Sequence, residues 1–127
     1  MSIFGIGSDI IDISRVKKAL KNKNFKKKIF SKNEIKIIET KSNKLPSYAK
    51  KFAAKEAFSK ALGTGISGGI SFKDISINND KKGKPYIALQ GKTKTIVQRT
   101  IKKRYKTFLT ISDEQKYALA MVIITYL

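Results

Sequence analysis

Apolar positions along the 127-residue chain change period several times, and each change marks the edge of an element. Ile3, Ile6, Ile10 and Ile11 bracket a short apolar segment in which Gly5, Gly7 and Asp9 share one face at period two. That pattern predicts an N-terminal strand ending near Ile11, with Asp9 at its end. Asp12 or Ser14 caps a following helix that carries Val16, Ala19 and Leu20, and its exposed side is lysine-rich through Lys28. Ser31-Lys-Asn-Glu34 is a capping box for the next helix, which buries Ile35 and Ile38. Pro46-Ser47 opens a central helix, and Gly63 or Gly65 closes it.

Beyond a flexible Gly65 to Gly69 loop, Ile75 and Ile77 alternate with polar residues. Asn78 to Lys84 then turns into Pro85-Tyr-Ile-Ala-Leu89, a hairpin. Ile96, Val97, Thr100, Ile101 and Arg104 recur at helical spacing between Thr95 and Tyr105. Phe108 to Ser112 and Tyr117 to Thr125 are β-rich runs joined by Asp113-Glu-Gln-Lys116, a second hairpin. Runs of both kinds in this order predict an α+β fold with a mainly antiparallel sheet packed with helices. The length fits one domain over residues 1–127, and no internal repeat is present.

The central helix concentrates chemistry. Phe52, Glu56 and Lys60 step by four and share a face, while Ala49, Ala53, Ala57 and Ala61 form an adjacent stripe that lets another backbone come close. Glu56 and Lys60 read either as an exposed ion pair worth ~0.3 kcal/mol or as site residues, and Glu56 is the only acid between Thr40 and Lys73. The bare face made by Gly5 and Gly7 admits a bulky ligand or a tightly packed helix. Gly63-Thr-Gly65 and Gly68-Gly69 offer backbone amides to a phosphate, or serve as cap and connection. Neither a dinucleotide fingerprint nor a Walker A ending occurs.

Composition narrows the chemistry. The chain lacks histidine and cysteine, which excludes Ser-His and Cys-His nucleophile systems, histidine-bound metals and disulfides, and leaves phosphoryl-type transfer open. Two carboxylates on separate elements, Asp9 and Glu56, suit a magnesium ion shared with substrate phosphates. Net charge is +19, from 25 lysines and 3 arginines against 9 acids, and it attracts polyanions of any kind. The excess of lysine over arginine and of isoleucine over valine is the skew expected of an AT-rich genome, and on that hypothesis part of the charge is compositional background. A basic nucleic-acid-binding module is the rival reading, but it leaves Asp9 and Glu56 unexplained, and no aromatic stacking motif for specific nucleic-acid recognition accompanies the charge. No apolar run suits membrane insertion and no signal peptide is evident, so a cytoplasmic location is expected.

Three segments in order resemble the holo-acyl-carrier-protein synthases, the small bacterial 4′-phosphopantetheinyl transferases. They are Gly5-Ile-Gly-Ser-Asp9-Ile-Ile with Arg15, Lys51-Phe-Ala-Ala-Lys-Glu56-Ala-Phe-Ser-Lys60-Ala-Leu-Gly-Thr-Gly65, and Ile111-Ser-Asp-Glu-Gln-Lys-Tyr-Ala-Leu-Ala120. The resemblance implies that fold and a reaction in which a serine hydroxyl of apo acyl carrier protein takes the phosphopantetheine arm of coenzyme A. Asp9 and Glu56 would hold Mg²⁺ with the diphosphate, and Lys60 would neutralise the phosphate under attack. The serine's proton would pass to Glu56 or to a water on the metal, the second being favoured because a carboxylate bound to Mg²⁺ is a poor base.

Lys51, Gly63, Gly65, Gly83, Pro85 and Ser112 match positions that the resemblance assigns to coenzyme A, alongside Lys60. Arg15, Lys18, Lys21 and Lys28 form a basic face toward the acidic carrier protein, with Phe25 as an apolar anchor. Lys51 stands where arginine is common, and Asp113, read as a turn residue, stands where several members have histidine. Members of this length resemble homotrimers with active sites at subunit junctions.

Overall fold

The computed structural model describes residues 2–65 and 68–127, so Ile66 and Ser67 of the expected glycine-rich loop lie outside the described residues. The order is β1 (Ile3–Asp12), α1 (Ile13–Ala19), α2 (Lys23–Ile29), α3 (Lys32–Ile38), α4 (Lys44–Leu62), a 3₁₀ turn (Phe72–Asp74), β2 (Ile75–Asn79), β3 (Pro85–Leu89), α5 (Gly91–Ile101), β4 (Tyr105–Asp113) and β5 (Tyr117–Tyr126). β1, β5 and β4 form an antiparallel sheet with β5 in the centre, and β2 and β3 form a separate antiparallel hairpin. The α+β expectation holds.

Period-two burial on β5 (Ala118, Ala120, Val122 and Ile124) presents one sheet face to α4, whose Ala53, Ala57, Phe58 and Ala61 are likewise buried. Glycine and alanine make that contact unusually close. A Cβ on Gly5 would lie 1.9 Å from the Ala61 carbonyl oxygen, and one on Gly7 2.1 Å from that of Ala57. Of the two readings of the bare β1 face, tight helix packing is therefore the one observed: the helix backbone occupies the space that side chains would fill. A second cluster of Ile13, Val16, Phe30, Ile38 and Tyr48 seats α1, α2 and α3 on the N-terminal half of α4.

Several boundaries move. β1 continues to Asp12 because β5 offers partners as far as Tyr117, so Asp9 lies inside the strand, opposite Ala120, and not at its end. The basic helix after β1 is two helices, since Asn22 caps a new start by accepting from the Asn24 amide. Asp12 caps the first, accepting from Ser14, and the Ser31/Glu34 capping box forms as expected. α4 begins at Lys44, two residues before Pro46, because proline is at home in a helix's first turn. It ends at Gly63, whose φ of +87° is the left-handed stop that glycine adopts freely. α5 starts earlier than expected, at Gly91, and stops at Ile101, where Lys102 turns left-handed, so Arg104 and Tyr105 leave the helix and Tyr105 opens β4.

Candidate active site

Alternation along β1 turns Asp9 toward α4, on the same side as Gly5 and Gly7. From α4, Lys60 reaches across and donates to Asp9 Oδ1 at 3.2 Å and to the Ser8 carbonyl at 3.0 Å. Lys60 thus pairs with Asp9 on the neighbouring strand, and no ion pair joins it to Glu56. Half of the Lys60 side chain stays exposed, and an exposed pair of this kind contributes at most about 1 kcal/mol, so its ammonium yields readily to another anion.

Glu56 lies one helical turn from Lys60, half-buried. Its carboxyl is held above the ordinary carboxylate range by burial and then by the negative charge of Asp9, with Lys60 opposing. Among the described residues no hydrogen bond or ion pair engages the Glu56 side chain. Two carboxylates, close enough for the charge of Asp9 to raise that of Glu56, with one half-exposed ammonium held on Asp9, form a set of hard oxygen donors short of positive charge. That set suits a small divalent cation. No group of three or more potential protein ligands occurs among the described residues, which fits an ion that takes one or two carboxylates and fills its other positions from substrate phosphates and water.

The other expected site residues are not all gathered here. Lys51 lies about 140° around α4 from Glu56. It is buried and donates to the Ile77 carbonyl, and burial pushes its ammonium pKa down. Lys51, which the resemblance assigns to coenzyme A, thus lies off the face that Glu56 and Lys60 share, since five residues before Glu56 is out of phase with it. Gly63 and Gly65, both at positive φ, lie just past α4, with no atom of the described residues within 4 Å of where a Cβ would be. Gly83 is in the β2–β3 turn, and Pro85 lines a cleft of about 300 Å³ between that hairpin and β4, with Lys84, Tyr86, Lys106 and Phe108. Ser112 is on the exposed face of β4, so within one chain the sheet separates it from Asp9. Asp113 is the last residue of β4 and not a turn residue, and its carboxylate pairs with Lys50 of α4 at 3.3 Å.

On the basic side, Arg15, Lys18, Lys21 and Lys28 are exposed on α1, α2 and their junction. Phe25 is not free as an apolar anchor: its ring is half-buried, with centroids 6.5 Å from Phe30 and 5.9 Å from Phe52. Lys26, on the same helix, is held by Glu39 at 3.3 Å.

Sequence reasoning missed a buried pair behind the site. Lys55 donates to Glu34 Oε1 at 2.8 Å, and both side chains are fully buried. The available signal was a lysine inside the run Ala53-Ala54-Lys55, flanked by residues that pack, together with a capping-box glutamate whose position faces inward.

A family model described as the 4′-phosphopantetheinyl transferase superfamily matches residues 5–122. The chain belongs to that superfamily. The holo-[acyl-carrier-protein] synthase of Pelagibacter ubique is 50% identical over 125 residues, covering 98% of each chain. Among solved structures, the holo-[acyl-carrier-protein] synthase of Neisseria meningitidis superposes with a TM-score of 0.87 at 34% identity, over 97% of this chain and 98% of that one. The Bacillus anthracis synthase, solved in complex with CoA (3′,5′-ADP), gives 0.82 at 34% identity over 99% of each chain. The superfamily match takes in Asp9, Glu56 and Lys60, and the fold similarity extends to both sheets.

Proposed function

We propose that this protein is a holo-acyl-carrier-protein synthase, transferring the 4′-phosphopantetheine arm of coenzyme A to a serine of apo acyl carrier protein. The observation that carries the reading is the convergence of Asp9, Glu56 and Lys60 between β1 and α4, in a chain whose relatives carry that activity in their names. Asp9 and Glu56 are the residues to hold Mg²⁺, which when bound would neutralise the diphosphate of coenzyme A.

The serine Oγ forms a new bond to the phosphorus that carries the pantetheine arm. The bond from that phosphorus to the bridging diphosphate oxygen breaks, adenosine 3′,5′-bisphosphate leaves with the bonding pair, and the serine hydroxyl's proton passes to water in the site in preference to Glu56. Lys60 exchanges Asp9 for a phosphoryl oxygen as charge builds, a stabilisation that is strong in a partly desolvated site. Gly63 and Gly65 leave open space beside α4 for the substrate, and Pro85 with Lys84 and Lys106 offers an apolar and cationic cleft for its nucleotide end. Arg15, Lys18, Lys21 and Lys28 supply the positive face that steers an acidic carrier protein.

Self-association completes the reading. On the sheet face away from α4, Ile6, Ile10, Phe108, Leu119 and Met121 are exposed, and strand register puts Ile6 in line with Ile123 and Phe108. An apolar face of this kind calls for a protein partner, and further copies of this chain in a homotrimer are the occupant. The proposal places coenzyme A at a subunit junction of that homotrimer, touching two chains, with Ser112 on the packed face supplied by one of them. No helix among the described residues is long and apolar enough to cross a membrane.

A coenzyme A derivative with a fluorescent label on its thiol tests the reading. Label should pass to an apo carrier and not to the same carrier with its acceptor serine replaced by alanine, and transfer should vanish with EDTA. Labelling that ignores the serine or the metal would refute it.

A further inference from the structure

Antiparallel strands offer alternate residues' N–H and C=O groups to each side, so β2 has one edge on β3 and another that no strand among the described residues covers. Charged side chains cover that second edge. Lys55 of α4 donates to the Ile75 carbonyl at 2.6 Å, Glu34 of α3 accepts from the Ile77 amide at 2.9 Å, and Lys51 of α4 donates to the Ile77 carbonyl. The remaining valences of the pair are used as fully. Lys55 also donates to Glu34 and to the Phe72 carbonyl, each at 2.8 Å, and Glu34 Oε1 accepts from the Ser31 amide at 2.9 Å. All three ammonium protons and both carboxylate oxygens are engaged, at 0% exposure for both side chains.

We infer that Glu34 and Lys55 are positioning residues for the transfer reaction: they hold the β2–β3 hairpin, which carries Gly83 and Pro85, against the helix that carries Glu56 and Lys60. The inference rests on the proposed function. Lys55 directly precedes Glu56, so fixing its ammonium to the 3₁₀ turn, β2 and α3 fixes the rotation of α4 at the residue that faces Asp9. The hairpin needs such a fastening, because two five-residue strands are marginal alone and this pair is not part of the β1-β5-β4 sheet. Apolar residues of similar volume would commonly give equal or greater stability than a buried ion pair. What apolar residues would not supply is direction: charge-assisted bonds to the Phe72 carbonyl of the 3₁₀ turn and to the Ile75 carbonyl and Ile77 amide of β2 specify one register of hairpin against helix.

The test compares Glu34→Gln/Lys55→Met and the milder Glu34→Asp, which keeps the carboxylate and shortens its reach, with wild type. It records thermal midpoints, KM for coenzyme A, KM for the apo carrier, and amide exchange at Ile77. In the double variant, KM for coenzyme A should rise about tenfold or more while KM for the carrier stays within about twofold, because a misplaced binding element loses positioning and leaves the α1–α2 surface intact. Glu34→Asp, whose shorter side chain keeps the charge opposite Lys55 but draws back from the Ile77 amide, should shift KM for coenzyme A in the same direction by about threefold, with faster exchange at Ile77, and it serves alone if the double variant does not fold. A folded variant with both KM values unchanged overturns the inference, as does one in which both KM values rise equally. Failure of the wild type to transfer would instead overturn the proposed function.

Discussion

Replacing Gly7 with alanine is the sharpest perturbation this fold offers, because the atoms in the way belong to backbone. The new Cβ would sit 2.1 Å from the Ala57 carbonyl oxygen, 2.5 Å from the Ala61 amide nitrogen and 3.0 Å from the Lys60 Cβ. Side-chain rotation relieves none of the first two contacts. Reaching even a 3.0 Å separation requires β1 and α4 to part by about 0.9 Å, and they are the two elements that carry Asp9 and Glu56. Overpacking of a tight core costs about 1–3 kcal/mol, and this case belongs at the upper end because helix and strand must move as bodies. For a chain of this size, ~3 kcal/mol corresponds to a fall in Tm of roughly 10 °C. Differential scanning calorimetry reads the shift, and a transfer assay at a temperature where the variant is folded reads the separation of Asp9 from Glu56, expected as at least a tenfold loss. Gly63→Ala is the control: nothing lies within 4 Å of its Cβ, and only its φ of +87° makes alanine unfavourable, at about 1–2 kcal/mol. A Gly7→Ala protein with wild-type Tm and full activity would refute the close helix–strand packing on which the site is built.

Other outcomes follow from the same geometry. Arg15→Glu with Lys18→Glu should raise KM for an acidic carrier at least tenfold and leave KM for coenzyme A near wild type, with the difference shrinking as salt is raised. Met121→Glu, on the exposed face of the central strand, should convert an assembled species to monomer in sedimentation velocity and weaken coenzyme A binding at the same time. Burial pushes Lys55 from an ordinary 10.5 down to about 8, so between those values the unfolded chain binds the extra proton and stability should rise with pH. Urea midpoints across that window should show the rise in wild type, and a smaller one in Glu34→Gln/Lys55→Met.

Much of this was legible in the sequence where local chemistry and tertiary demand agree. The alanine stripe of α4 and the Ser31/Glu34 capping box are present as read, and two open alternatives are decided by the fold: a packed helix covers the glycines of β1, and Gly63 rather than Gly65 closes α4. Asp9, Glu56 and Lys60 were legible for the same reason, since period two and period 3.6 fix which side each faces. Boundaries set by a partner element were not: β1 extends because β5 does, and Arg104 leaves α5 because β4 must begin alongside β5. The pairing of Lys60 with Asp9, rather than with Glu56 four residues back, depends on the distance between helix and strand, which no spacing reports. Lys51 and Lys55 were hardest to read, because a lysine-rich chain supplies no contrast between a solvated ammonium and one buried under a strand edge. Asp113 is a similar case, its partner Lys50 lying on a distant segment.

The most direct test of the central claim is the intact mass of an apo acyl carrier protein after incubation with this protein, coenzyme A and Mg²⁺. The account predicts a gain equal to one phosphopantetheine arm, abolished by EDTA and by either Asp9→Ala or Glu56→Ala in folded protein. An unchanged carrier mass with the wild-type protein, or an undiminished gain with both carboxylates removed, would contradict it.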